Sequence, residues 1–403
     1  MLEKITLEEA VNLICEHAQK CTETEIIEVK NAGGFLLAED IYAGIDNPPF
    51  PRTPVDGYAV RAEDLKGAGK DTPVTLKVVG CIYAGQDGQA QKIGPGEAMR
   101  IMTGGPFPQG SNTAVKQEDT DYGEEIVSIY KEQNPFDNYC YQGEDYGKDS
   151  LLLKTGDLIT FAEQGILAAT GRTTVKVYKK PRIGLITTGD EVCAPGTPLL
   201  PGKIYDSNGM MITSRLRELG VEPVSVKHIA DSEEEMAKEL KKACEEVDVV
   251  ITTGGVSVGK KDILHNALKM AGAQKIFWKI SIQPGTPSIF SVCNQTLIIS
   301  LSGNPFGAMA NLELLVRPLL LKMTGDERFL MEKREGILKE KFPKKSKGRR
   351  FVRAIYKEGD VTFPEGIYSS GAIGTLRGCN CFLDIPAGTP PMEIGTKVTV
   401  WKL

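Results

Sequence analysis

The sequence predicts a multidomain α/β protein with a doubly wound parallel sheet in its second half. Short apolar runs there, each followed by a glycine-containing loop, alternate with stretches of helical periodicity. The first half has short β-rich runs between glycine and proline turns, which is typical of a separate all-β unit. A chain of 403 residues is long enough for two or three domains of roughly 150 residues each.

The first predicted element is a helix near the N-terminus. Thr6 and Glu9 form a capping-box pattern, in which each side chain satisfies a backbone N–H of the other residue. Leu7, Ala10 and Ile14 then recur at helical spacing, which predicts one buried face.

The composition of the chain changes after residue 46. Four prolines fall in residues 47–54, and no helix continues through such a run. From there to about residue 146, runs such as 74–80 and 126–130 predict short strands. This part is therefore interpreted as a small β domain.

The predicted parallel sheet follows Pro181. Its buried strands are 183–188, 247–253 and 297–301, and the helical patterns between and after them cover about 207–219, 232–246, 262–271 and 305–322. The strands end in the loops Gly189-Asp190-Glu191, Gly254-Gly255 and Gly303-Asn304-Pro305. Carboxyl ends of parallel strands meet at one edge of a sheet, so all three loops should line one ligand crevice.

The loop of residues 250–262 nearly matches a nucleoside-triphosphate loop. Lys261, however, stands where a Ser or Thr hydroxyl would bind Mg²⁺. Gly254 and Gly255 allow close backbone approach, and a helix starting near Asp262 would present free N–H groups to an anion. The loop thus favours a phosphate or another oxyanion without ATPase chemistry; a tight turn with Asp262 as a helix cap is the structural alternative.

Carboxylates cluster at the same predicted edge. They are Asp190, Glu191, Asp206, Asp231 and Asp262. Asp206 and Asp231 could simply cap helices. Acids that face a phosphate need a cation between them, and carboxylates with water suit Mg²⁺, so the cluster predicts a magnesium site.

Composition limits the remaining classes. A net charge of −5 disfavours general nucleic-acid binding, and no apolar run approaches the roughly 18 residues of a membrane span. Nine cysteines without a C-x-x-C pair, and no apolar segment of a secretory signal, predict reduced thiols and a cytoplasmic protein. The histidines lack the spacing of zinc ligands, and a Ser-His-Asp hydrolase is not expected either.

Eight motifs in order along the chain resemble one family. They are PRTPVDGYAV (51–60), RIMTGGPFP (100–108), QGEDYG (142–147), TTGDEV (187–192), KIYDSN (203–208), TTGGVSVGKKD (252–262), FWKISIQPGTP (277–287) and SGNP (302–305). Together they cover nearly the whole chain and resemble the molybdopterin molybdenumtransferases, the MoeA family, whose fold is also the E domain of gephyrin-type proteins.

The resemblance implies four parts. They are an elongated helical and linker domain split between 1–46 and 147–178, an inserted β domain at 47–146, a doubly wound MogA-like pterin-nucleotide-binding domain at 179–326, and a β-barrel-like domain at 327–403. It also implies a homodimer, with adenylylated molybdopterin and molybdate as substrates, Mg²⁺ as cofactor and AMP as product. The adenylyltransferase that supplies the substrate and the receiving molybdoenzymes are the further partners it implies.

The resemblance further implies the roles of individual residues. Those implied for catalysis are Asp56, Asp145, Glu191, Asp231, Asp262 and Lys279, of which Glu191, Asp231 and Asp262 would hold Mg²⁺. Those implied for substrate binding are Thr103, Thr188, Gly189, Asp190, Gly254, Gly255, Ser257, Gly303, Asn304, Pro305, Arg350 and Ser370. Arg350 and Ser370 would contact the oxyanion.

The chain departs from the family pattern around the implied oxyanion pocket. Two lysines of the family pattern are replaced by Gln283 and Thr286, and a family serine is replaced by Gly307. Pterin-nucleotide binding is therefore better supported than the choice of oxyanion. A pterin-nucleotide hydrolase and a non-catalytic pterin-binding scaffold are the alternative functions, since a fold does not determine a function.

Overall fold

The computed structural model describes residues 1–256 and 263–403. The chain forms two compact units. The first comprises residues 1–25, 34–36 and 177–403, and the second comprises residues 26–33 and 37–176. Among the described residues, no helix is both long enough and apolar enough to cross a membrane. All nine cysteines are free thiols.

The helices and strands are numbered in chain order. Up to residue 178 they are β1 (Leu2–Ile5), α1 (Leu7–His17), β2 (Thr24–Glu28), β3 (Ile41–Tyr42), β4 (Gly57–Val60), β5 (Val74–Ile82), β6 (Glu97–Ile101), β7 (Thr113–Lys116), β8 (Ile126–Ile129), β9 (Leu151–Leu153), α2 (Phe161–Ala169) and β10 (Thr174–Tyr178). They continue with β11 (Ile183–Thr188), β12 (Val192–Cys193), β13 (Ile204–Tyr205), α3 (Ser207–Glu218), β14 (Ser225–Ile229), α4 (Glu233–Glu246), β15 (Val249–Thr253), α5 (Leu264–Met270), β16 (Gln274–Ile280), β17 (Ile282–Gln283), β18 (Ile289–Cys293), β19 (Thr296–Leu301), α6 (Pro305–Asn311) and α7 (Arg317–Thr324), with a π-helical turn at Leu312–Val316. The last strands are β20 (Lys333–Leu338), β21 (Arg349–Lys357), β22 (Asp360–Thr362), β23 (Cys381–Ile385) and β24 (Lys397–Lys402).

The capping box predicted for α1 is confirmed. The Glu9 N–H donates to Thr6 Oγ1 at 3.2 Å, and the Thr6 N–H donates to Glu9 Oε2 at 2.8 Å. The predicted apolar face is buried through Leu7, Ala10 and Ile14. It packs into the main core of the first unit.

The central sheet of the first unit has the strand order β1-β16-β18-β19-β15-β11-β14. The strands β19, β15, β11 and β14 pair in parallel, which confirms the predicted parallel core. β18 is antiparallel to both of its neighbours, so β16 runs in the same direction as the four parallel strands. β1 lies outermost, parallel to β16.

Both faces of this sheet are covered. Alternate residues of one strand enter different cores: Leu185 lies in the core with α1, α3, α6 and α7, whereas Ile186 lies in the core with α4 and α5. Such two-sided burial explains why these strands are continuous apolar runs. The doubly wound fold class is therefore confirmed.

The C-terminal strands close into a barrel of five. β21 pairs with β22, β22 with β20, β20 with β24, β24 with β23, and β23 again with β21. The two-residue strand β17 adds to β21 in parallel and places Gln283 opposite Arg350. The predicted β-barrel-like end of the chain is confirmed.

The second unit contains a five-stranded sheet of order β7-β4-β6-β5-β8. The antiparallel pair of β3 and β9 joins residues 41–42 to residues 151–153. The four predicted domain ranges stay a prediction, since contacts divide the chain into two units instead. In that division residues 1–25 belong with residues 177–403.

Candidate active site

The loops after three parallel strands meet at one edge of the sheet. Asn208, in the first turn of α3, donates from Nδ2 to Thr253 Oγ1 at 3.0 Å and to the Gly303 carbonyl at 2.8 Å. Thr253 Oγ1 in turn donates to the Ser302 carbonyl at 2.9 Å. The ends of β15 and β19 are thus fastened to each other and to α3. Asn208 ends the KIYDSN motif, but the sequence assigned it no role.

Glycines at this edge let backbone approach backbone. Gly254 has a φ of +99°, and a Cβ there would lie 2.3 Å from the Thr188 carbonyl oxygen. A Cβ at Gly303 would lie 3.3 Å from the Gly254 Cα. A side chain at Gly254 would therefore separate the loops after β11 and β15, and one at Gly303 would press on the loop after β15. The resulting surface consists of peptide groups, which is the kind of surface that approaches a phosphate closely.

Two of the predicted acids hold the loops after β11 and β14 together. Thr188 Oγ1 donates to Asp231 Oδ1 at 2.9 Å, and the Asp190 N–H donates to Asp231 Oδ2 at 3.3 Å. The Asp231 N–H donates back to Asp190 Oδ1 at 3.0 Å. Glu191 is exposed and its Oε1 lies close to Gly189. The predicted meeting of Thr188, Asp190 and Asp231 is therefore seen in the structure.

Asp206 has the alternative role that its position left open. Its Oδ1 accepts the Gly209 N–H at 2.8 Å and so caps α3, while its Oδ2 accepts the Thr187 hydroxyl at 2.8 Å. The cap of α4 is Ser232 rather than Asp231. Capping therefore accounts for Asp206 but leaves Asp231 at the edge of the sheet.

The predicted magnesium ligands are only partly described. Glu191 and Asp231 lie at the same edge, whereas Asp262, and Ser257, which was predicted to bind substrate, lie outside the described residues. Within residues 1–256 and 263–403, no three His, Cys, Asp or Glu side chains are arranged to hold a metal ion. The oxygen donors of Glu191 and Asp231 are of the type that Mg²⁺ prefers, so they fit as part of such a site.

Lys279 lies near the carboxyl end of β16, which runs in the same direction as the parallel strands. Its ammonium lies 3.6 Å from the centre of the Trp278 ring and 3.4 Å from Glu3 Oε1. Its backbone is in the left-handed region, with a φ of +65°, and its N–H donates to the Ser288 carbonyl at 2.8 Å. The sequence motif gave the position of Lys279 but not these neighbours.

A cleft of about 910 Å³ lies beside the barrel. It is lined by Gln283, Arg350 and Ser370, which the sequence associated with the oxyanion. Gln283 Oε1 accepts a hydrogen bond from Arg350 at 3.2 Å. The Ser370 carbonyl accepts the Phe306 N–H at 3.0 Å, which connects this cleft to the start of α6 and to the loop of Gly303-Asn304-Pro305.

Arg353 lines the same cleft and was missed by the sequence analysis. It is 1% exposed, and its guanidinium donates to the carbonyls of Ser369 and Ala372 and stacks 4.2 Å from the Phe306 ring. Burial lowers the pKa of this guanidinium. The signal in the sequence was a single arginine within the apolar strand pattern of residues 351–355.

Three of the implied residues belong to the second unit. Asp56 Oδ1 accepts both the backbone N–H and the hydroxyl of Thr103, each at 2.7 Å. These bonds, with the backbone N–H contributing most, lower the pKa of the Asp56 carboxyl. Asp145 Oδ2 accepts from Asn47 Nδ2 at 2.8 Å. Asp56 and Thr103, to which the resemblance assigned catalysis and substrate binding respectively, are thus brought together.

Family models match most of the chain. Residues 5–171 match the MoeA N-terminal region (domain I and II), residues 184–322 match a probable molybdopterin binding domain, and residues 335–403 match the MoeA C-terminal region (domain IV). The molybdopterin molybdenumtransferase of Bacillus subtilis strain 168 is 36% identical over 410 residues, covering 99% of this chain and 95% of that protein. The chain belongs to the MoeA family.

Other MoeA relatives agree. The molybdopterin molybdenumtransferase of Staphylococcus epidermidis (strain RP62A) is 33% identical over 406 residues, covering 98% of this chain and 97% of that protein. A crystal structure of a molybdopterin biosynthesis MoeA protein from Pyrococcus horikoshii matches with a TM-score of 0.81 and 32% identity, covering 99% of each chain. The predicted family and the prediction of an enzyme in molybdenum cofactor biosynthesis are confirmed.

The structure shows how the departures from the MoeA pattern are accommodated. Gln283 engages Arg350, and the Thr286 hydroxyl donates to the Ile282 carbonyl within the same loop. A Cβ at Gly307 would lie only 2.6 Å from Ser302 Oγ. The Ser302 hydroxyl therefore occupies the space that a side chain at position 307 would need, and glycine at 307 leaves room for it.

Proposed function

We propose that the chain inserts molybdate into adenylylated molybdopterin with release of AMP, in a reaction that depends on Mg²⁺. The observation that carries this proposal is the glycine-lined sheet edge, where the loops after β11 and β15 approach backbone to backbone beside Glu191 and Asp231. The reaction itself is proposed from family membership, and the edge of the sheet is where we place it. The transferase names of the bacterial relatives agree with it.

In this proposal each group has a separate task. Peptide groups around Gly254 and Gly303 receive the phosphate end of the substrate, and Thr188 holds the Asp231 carboxylate toward the edge. Glu191 and Asp231, with Asp262, would hold Mg²⁺, which would neutralise charge at the phosphoanhydride. Lys279 would supply a further positive charge for the substrate. Arg350, Ser370 and Arg353 line the cleft to which molybdate is assigned.

The test is release of AMP from adenylylated molybdopterin. Glu191→Gln is exposed and close in shape to the parent residue, so we expect an unchanged melting temperature and at least a tenfold slower release of AMP. Asp231→Asn should also slow the release. Glu246→Gln, which removes an exposed carboxylate paired with Lys242 on α4, is the matched control and should behave as the parent.

Two outcomes would contradict the proposal. One is AMP release by Glu191→Gln and Asp231→Asn at the parental rate. The other is full activity of the parent chain after removal of divalent ions, which would contradict the dependence on Mg²⁺ but not the release of AMP. If AMP is released but no molybdenum is inserted into molybdopterin, the hydrolase alternative is favoured, which would agree with the loss of lysines at 283 and 286.

Association is part of the same proposal. Family membership favours a homodimer, together with transient contacts to the adenylyltransferase and to the molybdoenzymes. Light scattering of an active preparation at micromolar concentration should give twice the 43.8 kDa mass of the chain. A monomeric mass in such a preparation would contradict the dimer without touching the reaction.

A further inference from the structure

The N-terminal strand brings a carboxylate to the neighbourhood of Lys279. β1 pairs with β16 in parallel, and the register places Glu3 opposite Trp278. Glu3 therefore lies beside Lys279, the residue that follows Trp278. Its Oε1 lies 3.4 Å from the Lys279 ammonium. The site motifs include no residue of β1.

The Lys279 ammonium is held on a second side by an aromatic ring. Trp278 lies 3.6 Å away from ring centre to ammonium, within the range of a cation–π contact. The Trp278 ring is itself supported by His265, whose ring meets it edge to face at 4.7 Å. Lys275 Nζ lies 3.2 Å from His265 Nδ1, so this nitrogen accepts and the ring orientation is fixed. The indole therefore provides a rigid platform for the ammonium.

The contact of the ammonium with Glu3 is weak. The Glu3 side chain is 54% exposed, and ion pairs exposed to solvent are weak and screened by salt. The pyrophosphate of the substrate carries two negative charges against the one of the carboxylate, and it forms charge-assisted hydrogen bonds with an ammonium. An arriving anion can therefore take Lys279 from Glu3 while the indole keeps the lysine stem in place.

We infer that Glu3 is a positioning residue that holds the Lys279 ammonium over Trp278 and is displaced by the anionic substrate. The inference rests on the proposed function, in which Lys279 neutralises substrate charge. Glu3 opposes binding in two ways, since it occupies the ammonium and it repels the anion. It thus lowers the affinity of the edge for nucleotide and prevents unproductive retention of the product.

The experiment measures the dissociation constant of AMP by calorimetry with the full-length protein. Glu3→Gln keeps the shape of the side chain and removes its charge, so we expect AMP to bind two- to fivefold more tightly. Lys279→Met should weaken AMP binding. In the Lys279→Met background, Glu3→Gln should have a smaller effect, because only the direct repulsion between Glu3 and the anion is left to remove. Glu246→Gln controls for the change in net charge and should leave the constant unchanged.

Further readouts separate positioning from general stability. The gain from Glu3→Gln should shrink as salt is raised, since it is electrostatic. Glu3→Asp, which keeps the charge, should resemble the parent. In the reaction, Glu3→Gln should lower KM for the pterin nucleotide without raising kcat.

The failures are distinguishable. If Lys279→Met weakens AMP binding but Glu3→Gln changes nothing, or changes it equally in both backgrounds, the positioning role of Glu3 is refuted and the proposed function stands. If Lys279→Met binds AMP as the parent does, the role of Lys279 in the proposed function fails, and the inference fails with it.

Discussion

Gln283 is the position where a single charge should most directly change anion affinity in the barrel cleft. Its side chain lines the cleft and accepts a hydrogen bond from Arg350 at 3.2 Å. Gln283→Lys places an ammonium where the chain now has a neutral amide. If molybdate occupies this cleft, the variant should bind it more tightly than the parent.

The size of the effect follows from charge and distance. A single positive charge and a dianion about 4 Å apart attract by about 2 kcal/mol in a medium like water. The variant also loses the hydrogen bond between Gln283 and Arg350, which costs about 1 kcal/mol because Arg350 is then held less firmly in the cleft. A net gain of about 1 kcal/mol corresponds to a dissociation constant lower by about fivefold.

Molybdate titration decides the matter, by calorimetry for binding and by the concentration that gives half-maximal insertion. Gln283→Met removes the same hydrogen bond without adding charge and should bind molybdate no better than the parent. Gln295→Lys adds the same charge in the exposed turn between β18 and β19 and should have no effect. Equal affinity for the parent and Gln283→Lys would show that molybdate does not bind beside Gln283.

Three further changes test the described contacts. Arg353→Met should lose molybdate-dependent insertion, because the carbonyls of the 369–372 loop lose their donor; insertion at the parental rate would contradict this. Gly307→Ala should lower the melting temperature, since overpacking costs about 1–3 kcal/mol, and Ser302→Gly in the same chain should restore it; scanning calorimetry of both variants would show this. Thr103→Val should raise the pKa of Asp56, followed by NMR. Because the folded-state pKa of Asp56 is lowered, its contribution to stability is present above about pH 4 and lost as the pH falls through the folded pKa, and this loss should be smaller in the variant.

The central sheet could be predicted because its strands are buried on both faces. Residues 183–188 and 297–301 are mainly apolar and buried throughout, and glycine-containing loops follow them. β20 was not predicted as a strand, because only two of its six residues are buried and the run from 333 is rich in charge. It forms nevertheless, since pairing with β24 and β22 closes the barrel and satisfies its backbone.

The site could be predicted where a sequence motif lies at the end of a parallel strand. Thr188, Asp190 and Asp231 meet because each follows or ends a parallel strand, and topology alone brings those ends together. Arg353 and Glu3 could not be found in this way. Their roles depend on register, between β21 and its barrel neighbours in one case and between β1 and β16 in the other. Register over such separations is determined by packing, which a local pattern does not contain.

The barrel also explains how the chain can lack two lysines of the family pattern and still offer a cationic cleft. Of the residues that the structure describes, four basic side chains line the cleft, those of Lys341, Lys344, Arg350 and Arg353, together with two acids, Glu340 and Glu365. β17 fixes the loop of Gln283 against β21, so the position that lost a lysine lies directly opposite an arginine. Guanidinium groups present a planar fork of donors suited to oxyanions, whereas a lysine acts as a point charge. The choice of anion in this chain should therefore depend on the position of the barrel strand β21, which carries Arg350 and Arg353, as much as on the loop at 283–287.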